Sequence, residues 1–340
     1  MLLYRSMRID GSRFFRVPRN GGSLPARANP NSREYETSVS AVLSIIARRQ
    51  TGRIVLDMID QAVRISGHTL TIVPTTVDDN AFAEPRQGRG AFPSGAPVRS
   101  GDNGNVVRRN GQPLLGTGTG SDVRLLFNPR NLNPRASTFI ALGATPNEIL
   151  LHELVHAIRQ LSHRLTNVAT GTPFGNEDEF LSIVVADIYA SEGGATGLRA
   201  NHALRLPRSV PSRGPATRGA LGGLAASRVG TMFDLPSSWR GSAPALDTTF
   251  EAGHRGIFQR LHSQEGDLFR SLARVPAQFN PIREHLIVGG TMRRPPAVRE
   301  TAPSTTAAPQ RNAAQLPGDS TLPAAMQTPL QPAPSGPLRW

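Results

Sequence analysis

Between Thr145 and His163 the chain has little choice but to form a helix, and at its centre stands His152-Glu153-Leu154-Val155-His156. Thr145 is placed as N-cap, Pro146 suits the first helical position, and Glu148 sits where a capping box closes. Ile149, Leu150, Leu154, Val155, Ile158 and Leu161 recur at helical spacing, so one face has to be packed. His152 and His156 lie four apart, and their rings leave the helix on the same side, roughly 5–6 Å between Cβ atoms. Two imidazoles so spaced can share one tetrahedral zinc at about 2.0–2.1 Å. Glu153 follows the first of them, where a carboxylate reaches a metal-activated water as general base. The plainer reading is two polar histidines decorating a buried helix.

A pair of histidines does not complete a catalytic zinc site, which needs a third protein ligand and an open position. His163 lies seven residues past His156, about 10 Å along a continuous helix, and cannot reach the same ion. The metzincin spacing is absent, because Arg159 and Ser162 stand where its Gly and His belong. A carboxylate from the next helix remains. Asn176-Glu177-Asp178-Glu179 opens that helix one turn-back after His156. Glu179 shares a stripe with Ile183 and Asp187, whereas Glu177 shares one with Leu181 and Val184. Asp187 gives the first stripe a further polar member, so Glu179 is the preferred ligand, with Glu177 as the alternative. Asp187 is also a candidate partner for a ligand histidine. Equally, three acidic residues capped by Asn176 can serve the helix dipole alone. Tyr189 and His202 are candidates to stabilise an oxyanion, against packing or surface roles.

Composition limits the rest. Hydrophobic residues make up 38% of 340, aromatics 5%, and there are 33 Gly and 29 Pro, which means a lean core and much irregular chain. The absence of cysteine excludes disulfides, thiolate metal sites and cysteine nucleophiles. No apolar run is long enough to span a membrane. Arginines interrupt MLLYRSMRIDGSRFFR where the apolar part of a conventional signal peptide would lie. Net charge is +13, and all 38 basic residues are arginine. GC-rich codon usage gives that pattern; so does selection against ubiquitin-accepting lysines in a protein that acts in a foreign cytosol. Residues 151–200 carry three arginines against six acids, a net of −3, so the positive excess lies in the flanks. Scattered and poor in aromatics, it does not predict a nucleic-acid face.

In chain order, residues 1–34 read as a disordered Arg-rich leader, which could equally hold an export address or be a plain floppy end. A helix follows over 36–48, broken at Thr51-Gly52, then a second helix to Ser66-Gly67 and a short strand at 70–73. Residues 78–120 are a long Gly/Pro/Asn-rich stretch, either disordered or part of a binding site, with hairpins expected at Asn103-Gly104 or Asn110-Gly111. Val123–Phe127 reads as a strand, either an ordinary one or an edge that pairs with extended substrate. A helix over 176–189 follows the HExxH helix. Residues 206–245 look like a linker or large loop inside a domain spanning 35–290, with helices over 250–272 and 279–286. Residues 291–340 read as a disordered Pro/Ala-rich tail.

The HELVH motif, the Glu177-Asp178-Glu179-Phe180 helix opening and the Thr51-Gly52-Arg53 break resemble bacterial secreted-effector zinc metallopeptidases of the NleD class. The likeness covers roughly residues 36–205. It implies a zincin-like α+β fold, a small, mostly antiparallel sheet beside the HExxH and Glu-bearing helices. It implies one Zn²⁺ per chain on His152, His156 and a glutamate, with Glu153 as catalytic base. It further implies a protein substrate and secretion into a host cell without a conventional signal peptide, as opposed to residence in the bacterial cytoplasm. Thermolysin-type enzymes carry an Asp four residues after the Glu ligand; here Ile183 stands there. The competing function is a non-catalytic Arg-rich binding or scaffold protein whose HExxH is vestigial or accidental. Oligomeric state is not legible in the sequence.

Overall fold

Alternation in Leu70-Thr71-Ile72-Val73 makes a strand, β5 (Leu70–Val73), that buries one face almost completely. The computed structural model describes residues 1–16, 23–76, 81–100, 104–129, 145–195, 198 and 243–293, and it shows what pairs with that strand. β5 runs parallel to β2 (Met7–Ile9) on one side and to β11 (Val123–Leu126) on the other. β1 (Leu2–Tyr4) closes one edge against β2, and β6 (Phe82–Pro85) closes the other against β11, both antiparallel. The sheet order is therefore β1-β2-β5-β11-β6. Three two-stranded antiparallel pairs accompany it: β3 (Arg13–Arg16) with β4 (Leu24–Ala28), β7 (Arg99–Ser100) with β8 (Asn105–Val106), and β9 (Arg108–Arg109) with β10 (Gln112–Pro113). Pairing is thus mostly antiparallel among the described strands, as expected, but the centre of the main sheet is parallel.

Two expectations fail here. The leader over 1–34 is not a disordered end: β1 and β2 belong to the sheet, and Met7 and Ile9 are fully buried. Their turn is fastened to the following helices, with Ser6 N–H donating to Asp60 (3.1 Å) and Arg5 paired with Asp57 and Asp60. Second, β11 is not an edge strand; β5 and β6 flank it, and the edge next to the HExxH helix is β6. The two-residue turn Asn110-Gly111 has φ of 53° and 80°, the left-handed pair that an Asn-Gly hairpin turn requires. The linker over 206–242 and the tail from 294 onward lie outside the described residues, and 243–245 already belong to a helix.

Helices α1 (Ser32–Ile46) and α2 (Gln50–Ser66) bury the apolar stripes that their periodicity demands. The break between them falls at 47–49, ahead of Thr51-Gly52. Glycine is needed at 52 because a Cβ there would collide with the Ile46 carbonyl. α3 (Pro146–Leu161) lies on the sheet beside β6 and β11 and packs against α1, α2 and α4 (Glu177–Glu192). Glu192, the last residue of α4, accepts the Gln50 (2.5 Å) and Thr51 (2.9 Å) N–H groups, placing an anion at the start of α2.

α5 (Ala243–Gln264, kinked at His254), α6 (Gly266–Leu272) and α7 (Pro281–Val288) cover the far side of α4. Their contact is aromatic: Phe174, Phe180, Phe250 and Phe258 meet with ring centroids 5.2–6.1 Å apart. Glu251, fully buried on α5, ties α5 to α7 through His285 Nδ1 (3.1 Å) and also holds Arg255 (2.9 Å). Burial pushes its carboxyl up, but hydrogen bonds from Arg255 and His285 outweigh this and leave it below the usual value of 4.5. A depressed folded-state pKa stabilises the fold above the unfolded value, and that stability is lost as pH falls through the folded one. Thermal melts of Glu251→Gln protein should therefore fall less steeply than wild type below about pH 4.5. Parallel curves would show the contact to be inert.

Candidate metal centre

Helix α3 begins as the sequence dictates: Glu148 Oε2 accepts the Thr145 N–H at 2.9 Å, and Pro146 occupies the first turn. With the sheet below and helices on both flanks, residues 150–161 are all buried, the two histidines and Glu153 among them. The His152 and His156 rings meet edge to face with centroids 4.7 Å apart and Nε2 atoms at 3.0 Å. Helix α4 crosses α3 here. Its start is fixed by Asn176, whose side chain accepts the Asp178 and Glu179 N–H groups, each at 2.9 Å. Phe180, next in the chain, anchors the helix in the aromatic cluster, and Glu179 faces the histidines.

Glu179 places Oε2 3.2 Å from His152 Nε2 and Oε1 3.4 Å from His156 Nε2. A different carboxylate oxygen approaches each ring, and one donor atom from each of the three residues lies within 4.8 Å of the others. His152, His156 and Glu179 therefore make a group able to hold a metal ion. Glu177 turns away and pairs with Arg260 at 2.5 Å. Electrostatics agree with a cation site. Burial on its own lowers the His156 pKa, but Glu179 and Asp178 hold it well above the ordinary imidazole value. Burial likewise raises Glu179, yet the two imidazoles hold its carboxyl far below the usual range. The carboxylates that favour a charged imidazole here would also favour a cation bound beside it.

Sequence reasoning did not find what lies behind the ligands. The carboxylate on His156 Nδ1 is Asp178, at 2.5 Å. Asp178 is in turn paired with Arg159, which is wholly buried and also holds Glu265 at 3.0 Å. Glu265 receives Arg164 as well, at 2.9 Å. An arginine three residues past the second histidine, inside an otherwise apolar stretch, was the available signal: a buried guanidinium demands carboxylates. Tyr189 sits near the far end of α4, where Asn147 donates to its hydroxyl (3.0 Å) and Arg49 lies over its ring, so it is a packing residue. His202 lies outside the described residues.

Glu153 points the other way, toward the sheet edge, where its Oε2 accepts the Ala83 N–H at 2.9 Å. Gln160 Nε2 donates to the Ala83 carbonyl at 3.0 Å, so two side chains of α3 hold the outward backbone groups of β6. Glu153, His156, Glu179 and β6 line a cleft of about 630 Å³ whose lining also includes Arg89, Phe92, Arg99, Leu114, Leu165 and Asn167. Such a cleft can seat an extended peptide beside His156, Glu179 and Glu153.

A profile of the Peptidase_M91 family, described as "Effector protein", matches residues 27–209. No curated protein matches the chain, and no solved structure does.

Proposed function

The chain belongs to the Peptidase_M91 family of effector proteins, and from that premise we propose that it is a zinc-dependent endopeptidase acting on proteins of a host cell. The observation that carries this reading is the convergence of His152, His156 and Glu179 beside a buried Glu153 in an open cleft. Zinc bound there supplies Lewis acidity to a water molecule and to the scissile carbonyl. Glu153 accepts the proton of the attacking water and returns it to the departing amine. Its reach is set by α3, one residue past His152, and by the Ala83 N–H that now holds it at the cleft edge. Asp178 keeps His156 oriented with Nε2 toward the ion. An extended substrate adds to β6, the sheet edge beside α3, and takes over the Ala83 carbonyl from Gln160 and the Ala83 N–H from Glu153. We read the whole as a zincin-like arrangement. No helix among the described residues is long and apolar enough to cross a membrane, and delivery into the host without a conventional signal peptide belongs to the same proposal.

The test is metal content joined to cleavage. Purified protein should carry about one zinc per chain, lose proteolysis when stripped by a chelator, and regain it on adding zinc back. A zinc-free protein that binds anionic partners in a salt-sensitive, chelator-indifferent way would instead be the Arg-rich scaffold. Ligand assignment is separable. Glu179→Ala should weaken zinc binding by more than about 100-fold, since losing a ligand exceeds the effect of losing its outer partners. Glu177→Ala should retain the metal and lose the Arg260 pair and the Thr166 hydrogen bond, and the reverse order would make Glu177 the ligand.

A further inference from the structure

The cleft is negative on the side of α3 and α4 and positive on the other. Residues 86–124 carry six arginines against two aspartates, a net of +4, where residues 151–200 carry −3. Two of these arginines, Arg89 and Arg99, line the cleft together with Glu153 and Glu179. Four arginines of neighbouring elements are already paired. Arg124 is neutralised by Glu84, Arg159 by Asp178 and Glu265, Arg164 by Glu265 and Arg260 by Glu177. Arg89 and Arg99 instead donate to backbone carbonyls, Arg89 Nε to Leu115 (2.8 Å) and Arg99 Nη1 to Gly104 (2.8 Å), and neither pairs with a carboxylate among the described residues. A guanidinium has five N–H donors, so each keeps several for the cleft.

Their backbones are held firmly. Ala91, Phe92, Val98 and Leu165 form a small separate core beneath them. Val98 N–H donates to Leu114 (2.8 Å), and Leu165 N–H to Ala91 (3.1 Å), which fastens this insert to the chain leaving α3. Asn167 Nδ2 donates to the Arg99 carbonyl at 3.3 Å. Two rigidly mounted forks facing a cleft are suited to bidentate capture of a carboxylate.

We infer that Arg89 and Arg99 form a subsite for an acidic side chain, so that the enzyme selects peptides with Asp or Glu a few residues from the scissile bond. This rests on the peptidase reading above. The test is digestion of an unbiased peptide mixture by the zinc-loaded full chain, with cleavage positions read by mass spectrometry. Wild type should enrich Asp and Glu near the cut, with acidic peptides favoured over their amide counterparts by about tenfold in kcat/KM. That ratio should collapse in Arg89→Gln/Arg99→Gln protein and turn toward basic residues in Arg99→Glu. Cleavage without acidic enrichment, or enrichment untouched by the double substitution, overturns the subsite. If zinc-loaded wild type cuts nothing, the peptidase reading falls by itself. A fluorescein-labelled Glu-containing decapeptide then decides the subsite by binding to Glu153→Ala protein. It should bind about tenfold tighter than its Gln counterpart, and the double substitution should erase the difference; equal affinities overturn it.

Discussion

Glu153→Gln protein should cleave about 10²–10⁴-fold more slowly than wild type while keeping its zinc and its melting temperature. The substitution is chosen for what it preserves. A glutamine at 153 still offers an oxygen to the Ala83 N–H, so this contact between α3 and β6 is kept. What disappears is the basic site. His152, His156 and Glu179 are untouched, and none takes a proton from the attacking water in the proposed scheme. Turnover should therefore fall in kcat with zinc stoichiometry at about one. A variant that retains near-normal kcat would remove Glu153 from the reaction. One that loses zinc or melts early would make it a structural residue.

Arg159→Met should cost about 3–5 kcal/mol, because it leaves Asp178 and Glu265 as buried charges without their shared cation. In a domain of this size that corresponds to a fall in melting temperature of about 10 °C. The loss should also reach the site: without the guanidinium Asp178 is no longer held in place on His156, so zinc affinity should drop about 10–100-fold. Adding Glu265→Gln to the Arg159→Met protein removes the carboxylate that Arg164 alone is left to neutralise, and part of the stability should return. Stability and zinc affinity falling together, and recovering unequally, would distinguish a pillar of the metal site from a general strut. A melting temperature within 2 °C of wild type would discard the chain from Glu265 to His156. That chain matters for another reason: Glu265 lies beyond the family match at 27–209, so the C-terminal helices complete the support of the second histidine.

How much of this was legible depended on range along the chain. His152, Glu153 and His156 are one helical turn apart, and the caps Thr145 and Asn176 act within three residues; local geometry fixes them all. The contest between Glu177 and Glu179 had no local answer. They share one helical turn and point about 200° apart, so the docking angle of α4 on α3 chooses between them. β6 was missed because Phe82-Ala83-Glu84-Pro85 has no apolar alternation and ends in proline. β1 and β2 were missed because three-residue strands carry no measurable period, and their Arg-rich surroundings read as disorder.

The sequence by itself determined an HExxH helix with a defined start, a following acidic helix capped by asparagine, and a chain whose positive charge is entirely arginine. Tertiary structure alone decided that Glu179 reaches the imidazoles, that Asp178 and a buried arginine stand behind them, and that β6 is the sheet edge beside α3. The physical reason is that helix starts and i, i+4 pairs are settled by contacts within a turn. Which faces of two helices and a strand meet is settled by burying apolar surface contributed from more than a hundred residues apart.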